Sequence, residues 1–476
     1  MLFDNFARKL RTEAQQWQDE GLIDRDLYEQ LAERYQFNNL EALGRDRFVF
    51  ILIGLGAILL ALGVITFVAA NWQALSREVR LVLLLSLFLA TNIAGFYLWR
   101  QPLPSSISAR RQQRRKRTFG TGLILLGNLL IGANIGLLAQ MFHIGGSAYQ
   151  LYLAWGLAVV IMACSLHITT LAVLALILLQ IGYWTGLSEV YYWEKYQSWG
   201  HVIIRHMPLI LAVVFVPLAY LCRSQWIFRL SAIAIVTNLQ SNLRYIDTLN
   251  LNTPFWAGLT VLALPPALLW SYSDSPFSFL NSNLQRFQPI ARTLTFVFFG
   301  INFYIYSFRW QWESSYQNYT QNISNPIQPW FPVIDVIIFT LIAIWQWCNL
   351  LRPRQNTRIE ATNIFVGCFI VLSSAVIVLH HFRVIAPAIS IFSFNLLLAV
   401  LACCLIKEAL ELGKRGAYWG GIILLTLQII SRMLEYDTQL LFKSFVFILC
   451  GVAVIGAGIW FERRTGNTTL RSQNTD

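Results

Sequence analysis

Apolar runs long enough to cross a bilayer follow one another from residue 48 to residue 461, with Lys and Arg gathered in the short polar stretches between them. About twenty apolar residues rise roughly 30 Å as an α-helix, the depth of the hydrocarbon core. Water does not reach the backbone there, so each run must satisfy its own N–H and C=O groups and is helical. The runs read as fourteen spans at about 48–70, 79–99, 119–141, 149–165, 167–186, 207–222, 226–241, 253–272, 289–309, 329–350, 362–382, 385–406, 417–433 and 440–461. The segments 149–165 and 226–241 are short for a crossing and suit a tilted or re-entrant path as well. Only 13% of the residues are charged, against about a quarter in soluble domains, which excludes a soluble globular protein. The expected fold class is an all-α polytopic membrane protein with about fourteen transmembrane helices, in which 48–464 form one membrane bundle.

Residues 1–47 stand apart, with seven basic and ten acidic side chains and no long apolar run. Phe6, Leu10, Ala14 and Trp17 recur at helical spacing, Gly21 interrupts them, and Asp24 caps a second stretch with Leu27, Leu31 and Tyr35 on one face. The pattern predicts a small cytoplasmic αα-hairpin, whose two stripes pack on each other or present a docking surface to a protein partner. This segment lacks the apolar core of a cleavable signal peptide, so the first span is expected to act as an uncleaved anchor. Residues 465–476 are polar and are expected to form a disordered cytoplasmic tail.

A net charge of +12 invites a nucleic-acid reading, and the location of the cations answers it. With fourteen spans starting inside, the cytoplasmic loops hold twenty Lys and Arg and the opposite loops eight. Membrane insertion produces this bias, so both termini are expected in the cytoplasm and no nucleic-acid partner is implied. The densest cluster, Arg110 to Arg117, has six basic residues in eight positions and no acid. It marks topology and also suits anionic lipid headgroups. The opposite loops are aromatic, with Tyr183, Trp184, Tyr191, Tyr192, Trp193, Tyr196 and Trp199, then Trp310, Trp312, Tyr316 and Tyr319. Such rings suit an interfacial belt or the lip of a ligand entrance.

No P-loop, nucleophile elbow, zinc-protease helix or dinucleotide fingerprint is present, so no enzyme activity is expected. The six histidines contain no pair at i, i+3 or i, i+4, and no metal or cofactor is expected. The seven cysteines fall inside or at the edges of apolar runs and read as small hydrophobes.

An ionisable side chain at the centre of a span costs about 2.5–3.5 kcal/mol, so each needs a partner, water or a role. Asp335 lies five residues after Trp330, about 7.5 Å along the helix axis. It is too short to reach the interface and must face protein or water. By topology its partners are Lys443, Arg432, Arg383 and the adjacent His380 and His381, with Glu435 and Asp437 competing for the same cations. Lys443 and Arg229 sit near span ends and can snorkel. A membrane carboxylate facing Lys or His either carries protons or cations, or locks helices together.

The third span carries Asn128, Asn134 and Gln140 at intervals of six, so successive amides turn by about 120° and leave no clear lipid face. This helix is expected at the bundle centre, its amides serving as packing glue or lining a polar path, with Gly132 and Gly136 allowing a close helix approach. Pro265-Pro266 is expected to kink the eighth span.

Three stretches carry a family resemblance: Gly54-Leu55-Gly56 running into Val68-Ala69-Ala70-Asn71-Trp72-Gln73; Gly132-Ala133-Asn134-Ile135-Gly136 with Ala139-Gln140-Met141-Phe142-His143-Ile144-Gly145-Gly146; and Lys443-Ser444 closing on Phe461-Glu462-Arg463-Arg464. With Trp17 and Gly21-Leu22-Ile23, the chain resembles the bacterial predicted membrane proteins of domain of unknown function 2157, over residues 5 to 185 and again near 430 to 464. The resemblance implies a multi-pass protein of the bacterial inner membrane with a cytoplasmic N-terminal segment, and it brings no activity with it. The residues themselves suit a secondary transporter or permease for a small solute or ion, built around Asp335. The alternative is a non-catalytic membrane scaffold or sensor acting through the N-terminal hairpin.

Overall fold

The computed structural model describes residues 10, 13–34, 59, 75–101, 107–143, 145–192, 199–247, 254–276, 286–313, 330–351, 361–412, 415–435 and 439–473, and among them there is no strand. The labelled helices are α1 (Arg25–Arg34), α2 (Arg77–Arg100), α3 (Ile107–Met141), α4 (Ala148–Leu166), α5 (Thr169–Tyr192), α6 (Trp199–Arg205), α7 (Met207–Leu221) and α8 (Gln225–Asp247). They continue as α9 (Pro254–Ser271), α10 (Gln288–Tyr306), α11 (Trp310–Glu313), α12 (Trp330–Leu351), α13 (Ala361–His381), α14 (Pro387–Leu412), α15 (Arg415–Glu435) and α16 (Leu440–Gln473). Among the described residues nine helices are long and apolar enough to cross a membrane, namely α2 to α5 and α12 to α16, with α6 and α7 as a tenth if that bent pair forms one span. The expected span at 48–70 lies outside the described residues apart from Leu59. Helices also cover 226–241 and, as far as Tyr306, the expected span 289–309, but Asn238, Gln240 and Asn242 in α8, and Arg292 and Asn302 in α10, dilute their apolar character. The last helix runs on to Gln473, into the stretch read as a tail.

The chain divides into two units, residues 1–86 and 87–476. In the first, residues 13–19 are helical and a turn through Gly21, at φ 72°, leads into α1. Ala14 is fully buried, with Leu10, Trp17, Ile23, Tyr28, Leu31 and Ala32 packed against it. The inward face of α1 is thus Tyr28, Leu31 and Ala32, whereas Leu27 is 46% exposed. The remainder of 1–47 lies outside the described residues.

In the second unit, α4 and α5 interlock through small residues. A Cβ on Gly156 would lie 2.9 Å from Leu179, and one on Gly182 would lie 2.9 Å from Leu153. Because lipid tails are as apolar as leucine, helices in a bilayer are held by this kind of close fit. Leu211 and Phe215 of α7, Phe228 of α8 and Phe287 complete the core around this pair. A second, aromatic core joins Phe299 and Phe303 of α10, Phe369 of α13 and Phe394 of α14. Asp274 secures the start of α10, its carboxylate accepting from the backbone N–H of Phe287 at 3.1 Å and of Gln288 at 3.3 Å, and from the Tyr220 hydroxyl at 2.5 Å. An anion at a helix N-terminus is favourable.

Among the described spans α5 has the largest share of buried residues, 56% against 33% for α3. Asn128 and Asn134 donate to the carbonyls of Ile124 and Leu130 one turn back, both at 2.8 Å, and so need no enclosing partner helix for those donors. Gly132 admits the Trp155 ring, which a Cβ would meet at 2.5 Å, rather than a helix backbone. The backbone contact of α3 is made by Gly120, where a Cβ would lie 2.8 Å from the carbonyl of Gly95 in α2.

Candidate functional site

Among the described residues, α6 and α7 meet at a break of 70°. Pro208 stands in the first turn of α7, where its missing N–H is harmless. His206 is the N-cap residue of α7. Its Nδ1 lies 2.7 Å from Asp335 Oδ1, and the two side chains are 19% and 2% exposed. Asp335 is held on α12, where the neighbouring Val336 packs with Leu239 and Leu243 of α8. Asp335 Oδ2 is buried and has no hydrogen-bond partner among the described residues. The pair therefore joins a short-range hydrogen bond to an uncompensated acceptor, at the electropositive start of α7.

Buried polar groups continue from this pair onto α8 and α5. Asn242 Nδ2 donates to the carbonyl of Arg205 at 2.8 Å, fixing α8 against the break. The Tyr183 hydroxyl lies 2.8 Å from Asn242 Oδ1 and 3.0 Å from the carbonyl of Asn238. Asn238 is fully buried, and neither atom of its amide has a hydrogen-bond partner among the described residues. An unsatisfied buried amide costs about 1–3 kcal/mol, so its retention beside Asn242 calls for a role. Gln240 serves another purpose, donating to Asn302 Oδ1 at 3.0 Å and to the carbonyl of Val261 at 3.4 Å. Val261 lies four residues before Pro265, and its carbonyl lacks the helical donor that proline cannot supply. The helix α9 continues through Pro265 and Pro266, and among the described residues α6 and α7 form the bent pair, at His206.

Of the cations expected beside Asp335, Arg432, His380 and His381 are engaged elsewhere. Arg432 pairs with Glu435, donates to the carbonyl of Ser307 at 2.6 Å and lies 4.2 Å from the centre of the Phe308 ring. His380 meets the edge of Trp312 at 4.6 Å and Ser390 Oγ at 3.2 Å, while His381 packs against Phe382 at 5.5 Å. Arg383 stands at φ 56° in the turn that ends α13. Lys443 makes no ion pair among the described residues. Asp437 lies outside them. Gln140 is exposed, and the amides of Asn128 and Asn134 bond within α3 and not to the pair. The partner that sequence reasoning missed, His206, fell in a stretch read as loop. The signal was Pro208, which marks the first turn of a helix that starts directly after His206.

The aromatic loops split likewise. Trp184, Trp199 and Trp310 are about half exposed, as a belt requires, whereas Tyr183 and Trp312 are buried in the core. Residues 193–198 and the loop 314–329 lie outside the described residues.

Fold and site together define a multi-pass, α-helical membrane protein with a buried acid–imidazole pair at a broken helix. Residues 15–172 match the model of the family described as Predicted membrane protein (DUF2157). The match takes in Trp17, Gly21 and the first two of the three resembling stretches, and ends before 443–464. No curated protein matches the chain, and no solved structure does.

Proposed function

We propose that the chain is a secondary transporter or permease for a small solute or ion, and not an enzyme, with His206 and Asp335 as its intramembrane charge site. The observation that carries this reading is the 2.7 Å contact of the two side chains at the α6–α7 break, beside an unpartnered Asp335 Oδ2 and Asn238. Broken helices are where transporters hold ions and substrates, because freed backbone groups and ionisable side chains converge there. We assign the protein to the bacterial inner membrane with both termini cytoplasmic, on the charge bias of its loops. Anionic headgroups at Arg110–Arg117 belong to the same orientation.

Proteoliposomes on a solid-supported membrane test the reading, challenged with jumps in proton, sodium and potassium concentration and with small carboxylates and amines. The expected result is a transient current for at least one of these that Asp335→Asn removes while the variant still purifies as folded protein. A current that survives Asp335→Asn excludes this residue, and silence throughout the panel favours the scaffold, which predicts partner loss when 1–47 are deleted.

A further inference from the structure

Helix α3 begins at Ile107, so the basic run Arg110–Arg117 forms part of one continuous helix instead of a loop. Its first turn holds no acid. Cations near a helix N-terminus oppose the macrodipole. This helix end is therefore destabilised by its own charges unless anions compensate them.

Beside it runs a groove of 760 Å³ walled by Ile93, Phe96 and Tyr97 of α2, Ile124 of α3, and Met162 and Leu166 of α4. Its walls are apolar, and it ends at Arg100 and Gln101. Gln113 Nε2 donates to Gln101 Oε1 at 3.2 Å, which ties the basic end of α3 to the charged end of the groove. Arg100 lies 5.7 Å from the centre of the Phe96 ring, which anchors it in the groove, and Arg117 lies 5.5 Å from the ring centre of Trp99, the residue before Arg100 on α2. Lys116 is exposed beside Arg117.

An open apolar groove with a cation at one end fits an amphipathic anion. We propose that the groove between α2, α3 and α4 binds one anionic phospholipid, its acyl chain along Ile93, Tyr97 and Met162 and its headgroup at Arg100, Lys116 and Arg117. This gives a specific seat to the headgroup contact proposed above, and its failure leaves transport at Asp335 untouched.

Native mass spectrometry of the full-length protein, released from nanodiscs of equal phosphatidylglycerol and phosphatidylcholine, tests it. The expected result is retention of one phosphatidylglycerol in preference to phosphatidylcholine. Each Lys or Arg near an anionic headgroup supplies about a fivefold preference, so Arg100→Gln, Lys116→Gln and Arg117→Gln together should reduce it about a hundredfold. Met162→Trp, which fills the groove and keeps every charge, should abolish retention. Phosphatidylglycerol retained equally by Met162→Trp overturns the groove but not the headgroup contact, and equal retention of the two lipids by the wild type overturns both. Displacement by inorganic phosphate would reassign the cations to a free anion. If the triple variant fails to fold, the lipid comparison on wild type and Met162→Trp decides.

Discussion

His206 Nδ1 lies 2.7 Å from Asp335 Oδ1, a contact between side chains 129 positions apart in the chain. It ties the broken α6–α7 segment to α12. His206→Ala leaves the carboxylate buried beside a lost donor and should lower stability by about 1–3 kcal/mol. His206→Gln retains a donor and should lose less than half of that. Thermal unfolding in detergent separates the two, and equal losses would show that the ring acts by packing alone.

Tyr183 supplies a hydroxyl to the adjoining network, between Asn242 Oδ1 and the Asn238 carbonyl. Tyr183→Phe removes that group without changing the ring. The expected cost is about 1–3 kcal/mol because buried acceptors lose their donor. Unfolding by SDS in mixed micelles measures it, and a loss below the experimental error would mean that water replaces the hydroxyl.

Gln240 and Pro265 should be coupled. Gln240→Leu strips the donor from the Val261 carbonyl, at a cost of about 1 kcal/mol. Pro265→Ala restores an N–H one turn away and should recover the Val261 share of the cost in the double variant, while the bond to Asn302 Oδ1 stays lost. Additive effects in this double-mutant cycle would dissolve the pairing.

The glycines divide by what surrounds them. Gly120→Ala would set a Cβ 2.8 Å from the Gly95 carbonyl and Gly132→Ala would set one 2.5 Å from the Trp155 ring, whereas nothing lies within 4 Å of a Cβ on Gly416 or Gly420. The first two substitutions should destabilise by about 1–3 kcal/mol through overpacking. Substitution at Gly416 or Gly420 should be neutral or slightly stabilising, since alanine favours helix. Melting temperatures of the four variants check the division.

Helices were legible in the sequence because their cause is local. A run such as 362–382 must be helical in lipid whatever its neighbours do, and α13 spans Ala361–His381. The Trp17 to Gly146 stretches pointed to the family match for the same reason, since they are written residue by residue. Asp335 also declared itself, as a carboxylate too short to escape its span. Its partner did not. Helical spacing fixes which side chains share a face of one helix, but not which helix that face meets, and the choice of His206 over Lys443, Arg432 or His380 depends on packing among α6, α7, α8 and α12. The same holds for Asn128 and Asn134, whose amides donate to carbonyls of their own helix. Sequence determined that this chain is a bundle of membrane helices with a buried charge, because solvation and backbone hydrogen bonding act within each segment. Tertiary structure alone decided where the bundle breaks and what that charge touches, because those contacts are set by the fit of distant surfaces.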